Sequence, residues 1–183
     1  MSPLALLLLA AEVGGATSGV VPSPGPFHPV CAGVRVAASN RALPPKDMTF
    51  SSRETVDLLL RPRLRQDLLG QHVMQLKVFT PGGFLYQVIT LPFVSAAPDA
   101  RGQSAAAPPP GVVPGFPRPL EVQRLVPASS GSGTRSEYEL RARLPVAGTS
   151  IALSSLYGTW SVQPYIDGQT EPCGPATRFT IRD

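Results

Sequence analysis

The sequence predicts an all-β fold, arranged as an antiparallel β-sandwich of about seven to nine short strands. Three observations support this prediction. The chain carries 22 proline and 17 glycine residues among its 183, which interrupt long helices and favour turns. Short runs in its second half alternate apolar and polar residues, as strands with one buried face do. No apolar run reaches the roughly 18 residues of a membrane-spanning helix, so we do not expect an integral membrane protein.

The N-terminus carries a short apolar run, Leu4–Ala11, followed by small residues at Gly14 and Ala16. An apolar segment of this length, with small residues three and one positions before a cleavage point, is typical of a secretory signal peptide. We therefore predict a signal peptide over residues 1–16, although no basic residue precedes the run. The alternative is that the run forms a buried N-terminal strand or short helix of the core.

Residues 17–47 are rich in proline, glycine and alanine. Because proline cannot donate to a β-ladder, this stretch is predicted to be a mostly extended leader, with room for one short edge strand at Gly33–Ala37. The sandwich domain is then expected to span residues 48–183.

The first strands of the domain are predicted at Met48–Ser51 and Glu54–Leu60. In the second of these, Val56, Leu58 and Leu60 fall on one face, and Pro62 is expected to end the strand. The run Arg63–Leu69 could form one helical turn, closed by Gly70.

A β-hairpin is predicted from His72–Thr80 and Phe84–Leu91, joined through Pro81-Gly82-Gly83. Proline followed by glycine at the two central positions matches a type II turn. Placing Thr80 opposite Leu85 gives the apolar inner pairs Leu76–Ile89 and Met74–Leu91, and the outer pairs Phe79–Tyr86 and Lys77–Val88. A slip of one residue would destroy this match, so the pattern specifies the register.

Residues 95–120 contain seven prolines and almost no large apolar side chains. Such a composition cannot bury enough surface to offset the entropy of ordering the chain. We therefore predict a flexible insertion that interrupts the sandwich.

The remaining strands are predicted at Leu120–Val126, Ser136–Leu144, Thr159–Ile166 and Ala176–Ile181. A turn over residues 129–134 precedes the second of them, and Asp167-Gly168 follows the third. The second strand alternates most regularly. Its inward residues are predicted to be Tyr138, Leu140, Ala142 and Leu144, and its solvent-facing residues Glu137, Glu139, Arg141 and Arg143. In the last two strands, Trp160, Val162, Ile166, Phe179 and Ile181 are predicted to face the core.

The chain has two cysteines, Cys31 and Cys173. In an oxidising compartment an even pair favours one disulfide, and the alternative is two unpaired thiols. Together with His28 and His72 they show none of the short spacings of a zinc site, so neither a metal nor a cofactor is expected.

The segment from Leu156 to Gly168 contains Gly158-Thr159-Trp160-Ser161-Val162 and ends at Asp167-Gly168, and Phe179-Thr180-Ile181 closes the chain. This pattern resembles the last two strands of bacterial secreted immunoglobulin-like or macroglobulin-like modules. In those modules a Gly-x-Trp-x-Val strand ends at an Asp-Gly turn and a Phe-x-Ile strand closes the domain. The resemblance covers about residues 48–183 without the insertion. It implies an immunoglobulin-like sandwich with a structural or binding role.

Catalytic motifs are missing from the sequence. His28 lies in the leader and His72 at a strand start, and no G-x-S-x-G, Walker A or dinucleotide motif is present. The net charge of +4 is modest, and Arg61, Arg63 and Arg65 form the one tight basic cluster. We interpret this cluster as a solvated strand edge or loop, and the alternative is a site for a phosphate or another polyanion. A nucleic-acid partner is therefore not expected.

These observations predict a non-catalytic exported module that acts in binding or structural assembly at the bacterial envelope or surface. The partner is expected to be a protein or an envelope polysaccharide, contacted through the outer hairpin residues Phe79, Tyr86 and Val88. The alternatives are an enzyme or enzyme inhibitor with an unrecognised site, and a cytoplasmic β-domain with an interaction role.

Overall fold

The computed structural model describes residues 30–40, 47–97, 120–128 and 137–183. The predicted signal peptide, most of the leader, the insertion from residue 98 to 119 and the turn at 129–134 lie outside these ranges. The strands are β1 (Cys31–Ala38), β2 (Thr49–Ser51), β3 (Asp57–Leu64), β4 (Gln71–Phe79), β5 (Leu85–Val94), β6 (Gln123–Arg124), β7 (Val126–Pro127), β8 (Tyr138–Glu139), β9 (Ala142–Pro145), β10 (Gly158–Ile166) and β11 (Thr177–Arg182). A short helix, α1 (Ser150–Leu153), precedes β10.

The strands form two packed sheets, which confirms the predicted all-β sandwich. Sheet A has the order β1-β3-β8-β7, with β9 also paired to β3, and sheet B has the order β2-β11-β10-β4-β5-β6. Two pairs, β2 with β11 and β5 with β6, are parallel, and both involve short strands at the edges of sheet B. The other pairs are antiparallel, as predicted. The immunoglobulin-like strand order stays a prediction.

The strand β1 lies well inside the sequence that was predicted to be an extended leader. It pairs with β3 along its whole length and buries Cys31, Val34, Val36 and Ala38 in the core. The predicted boundary of the sandwich at Met48 is therefore too late, because the domain already includes residues 31–38. The short edge strand expected at Gly33–Ala37 is the part of this element that the sequence did indicate.

Pro62 does not end β3 as predicted, and no helical turn follows it. The strand continues to Leu64, and Pro62 is buried within it. Leu140 N donates to Pro62 O at 3.1 Å. In an antiparallel pair the N and O atoms of one residue point to the same neighbour, so the Pro62 nitrogen, which carries no hydrogen, also points to the strand that contains Leu140. The register Leu60–Ala142 continues as Arg63–Glu139 beyond this point. β8 and β9 therefore follow one continuous register with β3, and they are separated only where Pro62 cannot donate a ladder hydrogen bond.

The β4–β5 hairpin forms with the predicted register along most of its length. Met74 lies opposite Leu91, Leu76 opposite Ile89 and Lys77 opposite Val88. The turn differs from the prediction, because the positive φ is at Gly83 and not at Gly82. Gly83 N donates to Thr80 O at 2.9 Å, which closes the turn. A residue with a left-handed backbone conformation directly after such a turn suits the twist of a hairpin.

A register shift follows between Val78 and Phe79. Phe79 lies opposite Leu85, and Val78 opposite Gln87, so Tyr86 is the extra residue of a β-bulge. The predicted pair Phe79–Tyr86 is therefore wrong, because a bulge changes the face to which the following residues point.

The predicted strand Leu120–Val126 is in fact two strands in different sheets. β6 joins sheet B and β7 joins sheet A. Between them Leu125 is almost fully buried, and its N–H donates to Val94 O at 3.0 Å. The crossing point between the sheets is thus held by one apolar side chain and one backbone bond.

Asp67 fixes the chain where it leaves β5 towards residue 98. Its carboxylate accepts hydrogen bonds from Ser95 Oγ at 2.7 Å and from the N–H groups of Ala96 and Ala97, each at 3.0 Å. After residues 98–119, β6 pairs with Phe93 and Val94 of β5. Both described ends of the segment 98–119 are therefore attached to the same edge of sheet B.

Trp160 lies at the centre of the core. It is fully buried, and its Nε1 donates to Leu156 O at 3.0 Å. Its ring stacks on Phe179 with centroids 6.4 Å apart and packs nearly perpendicular to the Tyr86 ring with centroids 5.1 Å apart. The rings of Phe50 and Phe179 also pack edge to face, with centroids 6.4 Å apart. The predicted inward face of β10 and β11 is therefore confirmed.

The predicted disulfide between Cys31 and Cys173 is confirmed. It joins the first residue of β1 in sheet A to the connection between β10 and β11 in sheet B. Cys31 N donates to Cys173 O at 2.9 Å, and Cys173 N donates to Pro164 O at 2.9 Å. Gly174 is packed so closely that a Cβ there would lie 2.7 Å from Cys31 Cβ and would also collide with the Cys31 carbonyl oxygen.

We expect Trp160→Ala to lower the free energy of unfolding by about 3–5 kcal/mol, because it leaves a large cavity and removes a buried ring. Urea unfolding measures the loss. Thr159→Ala, at the exposed neighbouring position, is the matched control and should stay near the native value. A fall in melting temperature of only about one or two degrees in the Trp160 variant would contradict a core role.

We expect Gly174→Ala to destabilise the protein by about 1–3 kcal/mol, because the added methyl group has no space beside Cys31. Urea unfolding and maleimide labelling of thiols are the measurements, and an increase in labelled thiol is expected. Ala176→Ser adds one heavy atom at a nearby exposed position and should leave both readouts unchanged. Equal behaviour of the two variants would show that the close packing at Gly174 does not matter.

Candidate functional site

The structure divides the predicted partner surface, Phe79, Tyr86 and Val88, between two sides of sheet B. Val88 is exposed and Phe79 half-buried on the outer face. Tyr86 turns inward at the β-bulge, where its ring contacts Trp160 and its hydroxyl lies 2.9 Å from Ser150 Oγ. Tyr86 is therefore part of the sandwich interior and leaves the predicted surface.

Leu85 takes the place that was predicted for Tyr86, since it lies opposite Phe79. The exposed fractions of Phe84, Leu85 and Val88 are 76%, 54% and 39%. We refer to Phe79, Phe84, Leu85 and Val88 as the hairpin patch. Sequence reasoning missed Phe84 and Leu85, because only the position of the bulge decides which residues beside the turn face outward.

The hairpin patch lies on a strand whose second edge is largely open. β5 pairs with β4 along its length but with β6 only through Phe93 and Val94. Within the part of the chain that the structure describes, no strand pairs with the remaining edge of β5. Open backbone groups beside exposed apolar side chains are the usual docking site for an added strand.

The outer face of sheet A is dominated by arginine. Residues opposite one another point to the same face, and the pairs Arg35–Arg61 and Arg63–Glu139 define its register. The continuous pairing of β3 with β8 and β9 places Arg141 opposite Arg61, and Leu59 opposite Arg143. We refer to Arg35, Arg61, Arg63, Arg141 and Arg143 as the arginine face.

Two glutamates lie beside the arginine face and neutralise part of it. Arg61 Nη1 lies 3.8 Å from Glu139 Oε1, and Arg63 forms an ion pair with Glu137. Glu139 was predicted to face solvent, but it is only 6% exposed, because these arginines and the neighbouring strand cover it. Burial lowers the pKa of Arg63, the charge of Arg35 lowers it further, and Glu139 acts in the opposite direction.

His72 occupies the end of sheet B, where β4 begins. Its Nδ1 lies 2.7 Å from Asp167 Oδ2 and its Nε2 lies 3.0 Å from Leu69 O. The same carboxylate accepts a bond from Val73 N at 2.9 Å. The hydrogen bond to Asp167 raises the pKa of His72 above its ordinary value, against a smaller effect of burial. Both ring nitrogens are therefore occupied by structural bonds.

Other kinds of site find little support in the described ranges. They contain no group of three or more His, Cys, Asp or Glu residues that could hold a metal ion. Their helices include none that is long and apolar enough to cross a membrane. The residues that the structure does bring together are the hairpin patch and the arginine face.

Comparison with known proteins adds no relative: no family model, no curated protein and no solved structure matches the chain. The resemblance to secreted immunoglobulin-like modules therefore stays a prediction.

We expect the stabilising contribution of His72 to be full below about pH 6.5 and to be lost as the pH rises through its raised pKa. The reason is that the protonated ring donates to both Asp167 and Leu69 in the folded state. Urea unfolding of the native protein and His72→Gln between about pH 5.5 and about pH 8.5 is the measurement. The difference in stability between the two should shrink at the alkaline end.

The matched control for this experiment is Asp167→Asn. Asparagine keeps a side-chain oxygen for Val73 N–H and tolerates the positive φ of 52° at this position. It removes only the negative charge, so its pH dependence should resemble that of His72→Gln. A difference between native protein and His72→Gln that stays constant with pH would contradict the assignment.

Proposed function

We propose that the chain is an exported, non-catalytic β-sandwich module that binds a protein partner at the bacterial envelope or surface. The observation that carries this proposal is the hairpin patch beside the open edge of β5. Exposed apolar side chains and unpaired backbone groups together suit the addition of an extended segment from another protein. The main-chain bonds would supply affinity, and Leu85 and Val88 would select apolar side chains at alternate positions.

Export is supported by two independent features of the chain. The disulfide between Cys31 and Cys173 is typical of oxidising compartments and rare in the cytosol. The apolar run at Leu4–Ala11 has the length of a secretory signal. Both features argue against the alternative of a cytoplasmic interaction domain.

A binding role is favoured over catalysis by the state of the one described histidine. His72 is held on both ring nitrogens by Asp167 and Leu69, so neither nitrogen is directed towards a nucleophile. Among the described residues, no specific group supports the alternative of an enzyme or enzyme inhibitor with an unrecognised site.

Site-specific photo-crosslinking in the native host tests the proposed surface. With Leu85→p-benzoylphenylalanine we expect one dominant covalent adduct with an envelope or surface protein, because this side chain lies in the contact. The matched control is Thr170→p-benzoylphenylalanine, an exposed position in the connection between β10 and β11, and it should give little of that adduct. Val88→Asp in the Leu85 variant should abolish the adduct. Equal adducts from the two crosslinker positions would contradict the proposed surface.

The intact mass of the protein from the same cells tests export separately. A mass lacking residues 1–16, with both cysteines unreactive until reduction, is expected. A full-length mass with two free thiols would contradict export.

A further inference from the structure

Three arginines lie side by side across the outer face of sheet A. Arg35 is opposite Arg61, and the register of β3 with β8 and β9 places Arg141 on the other side of Arg61. Neighbouring strands are about 4.8 Å apart, so these residues form a row of positive charge that crosses three strands. Like charges directly opposite one another destabilise a sheet, and such a row needs an explanation.

The positive charge of this row is not balanced within the described part of the chain. Arg35, Arg141 and Arg143 are exposed and form no ion pair there. The glutamates interact with Arg61 and Arg63, and the Nε atoms of those two arginines are buried without an acceptor. Asp57 lies on the same face at the far end of β3, opposite Pro145. The described residues of the face therefore carry a net positive charge, and its exposed arginines are the ones without an ion pair there.

The backbone that carries the row is held in place by side-chain contacts. Gln123, in sheet B, donates from Nε2 to Arg141 O at 2.7 Å and accepts from Arg141 N at 2.9 Å through Oε1. This pair satisfies both backbone groups of Arg141 where the strand has no neighbour in sheet A. The backbone of Arg141 is thus fixed, so its Cα is held opposite Arg61 before any ligand arrives.

We propose that the arginine face binds an anionic polysaccharide that carries carboxylate groups at regular intervals, as a polymer of uronic acids does. A guanidinium group matches a carboxylate with two parallel hydrogen bonds, and a row of them suits a linear array of carboxylates.

The chemistry of the face favours a saccharide over the other polyanions. Its outward positions hold arginines, the small residue Ala37 and few apolar anchors, whereas a protein interface is centred on buried apolar side chains. The pairings of β1, β3, β8 and β9 place no aromatic side chain among these outward positions, so bases would have nothing to stack on.

The proposal is independent of the hairpin patch, which lies on the outer face of the opposite sheet. Binding to polygalacturonate, measured by isothermal titration calorimetry with the full chain at low salt, tests it directly. Neutral dextran is the polymer control. We expect binding to polygalacturonate that weakens strongly at about 0.5 M salt, because charge pairs at an exposed surface are screened.

The decisive comparison uses two triple variants with equal loss of charge. Arg35→Gln, Arg141→Gln and Arg143→Gln together should weaken binding by about tenfold or more. Arg53→Gln, Arg178→Gln and Arg182→Gln remove three exposed arginines elsewhere and should change it by less than about threefold. The single variant Arg141→Gln, expected to show an intermediate loss, covers the case in which a triple variant does not fold.

Three results would overturn the proposal. The first is no binding of the native protein to polygalacturonate. The second is an equal loss in both triple variants, which would show that only the net charge matters. The third is tighter binding of polyglutamate or single-stranded DNA than of polygalacturonate, which would assign the face to an acidic protein or a nucleic acid.

Discussion

The disulfide between Cys31 and Cys173 is the constraint on which the architecture depends. It spans 142 positions of sequence and joins the first strand of sheet A to the last connection of sheet B. Closing a loop of this length removes roughly 4–5 kcal/mol of chain entropy from the unfolded state in the simplest treatment. Val34 N also donates to Thr177 Oγ1 at 3.1 Å, so β1 and β11 are held together by more than one link. The open side of the sandwich is thereby closed.

Sequence reasoning predicted the fold class, the hairpin register and the inward faces of β10 and β11, since alternation with a period of two is a local property. It failed where a single backbone bond decided the outcome. Pro62 stays inside β3 because its missing N–H faces one neighbour only, and that strand accommodates the lost bond. Tyr86 turns inward because of one extra residue, whose position depends on the turn at Gly83.

The two candidate surfaces were predictable to different degrees. Phe79 and Val88 could be assigned to the outer face from the hairpin alone, whereas Leu85 required the bulge. The cluster Arg61–Arg65 was visible in the sequence as three alternate residues, but its partners were not. Arg35 and Arg141 are distant in the chain and join Arg61 only through the pairing of three strands. Long-range pairing of this kind leaves no signal in a single sequence.

The attachment of residues 95–97 to Asp67, and of β6 to the end of β5, has a consequence for how this protein can evolve. Both anchors belong to the sandwich, so the points where the chain leaves β5 and returns to it are set by the described residues. The sequence predicts a flexible connection between them, and each doubling of the length of such a connection costs only about 0.6 kcal/mol of closure entropy. Related chains should therefore show insertions and deletions gathered at this one edge of sheet B, and a foreign peptide could be grafted there as a tag.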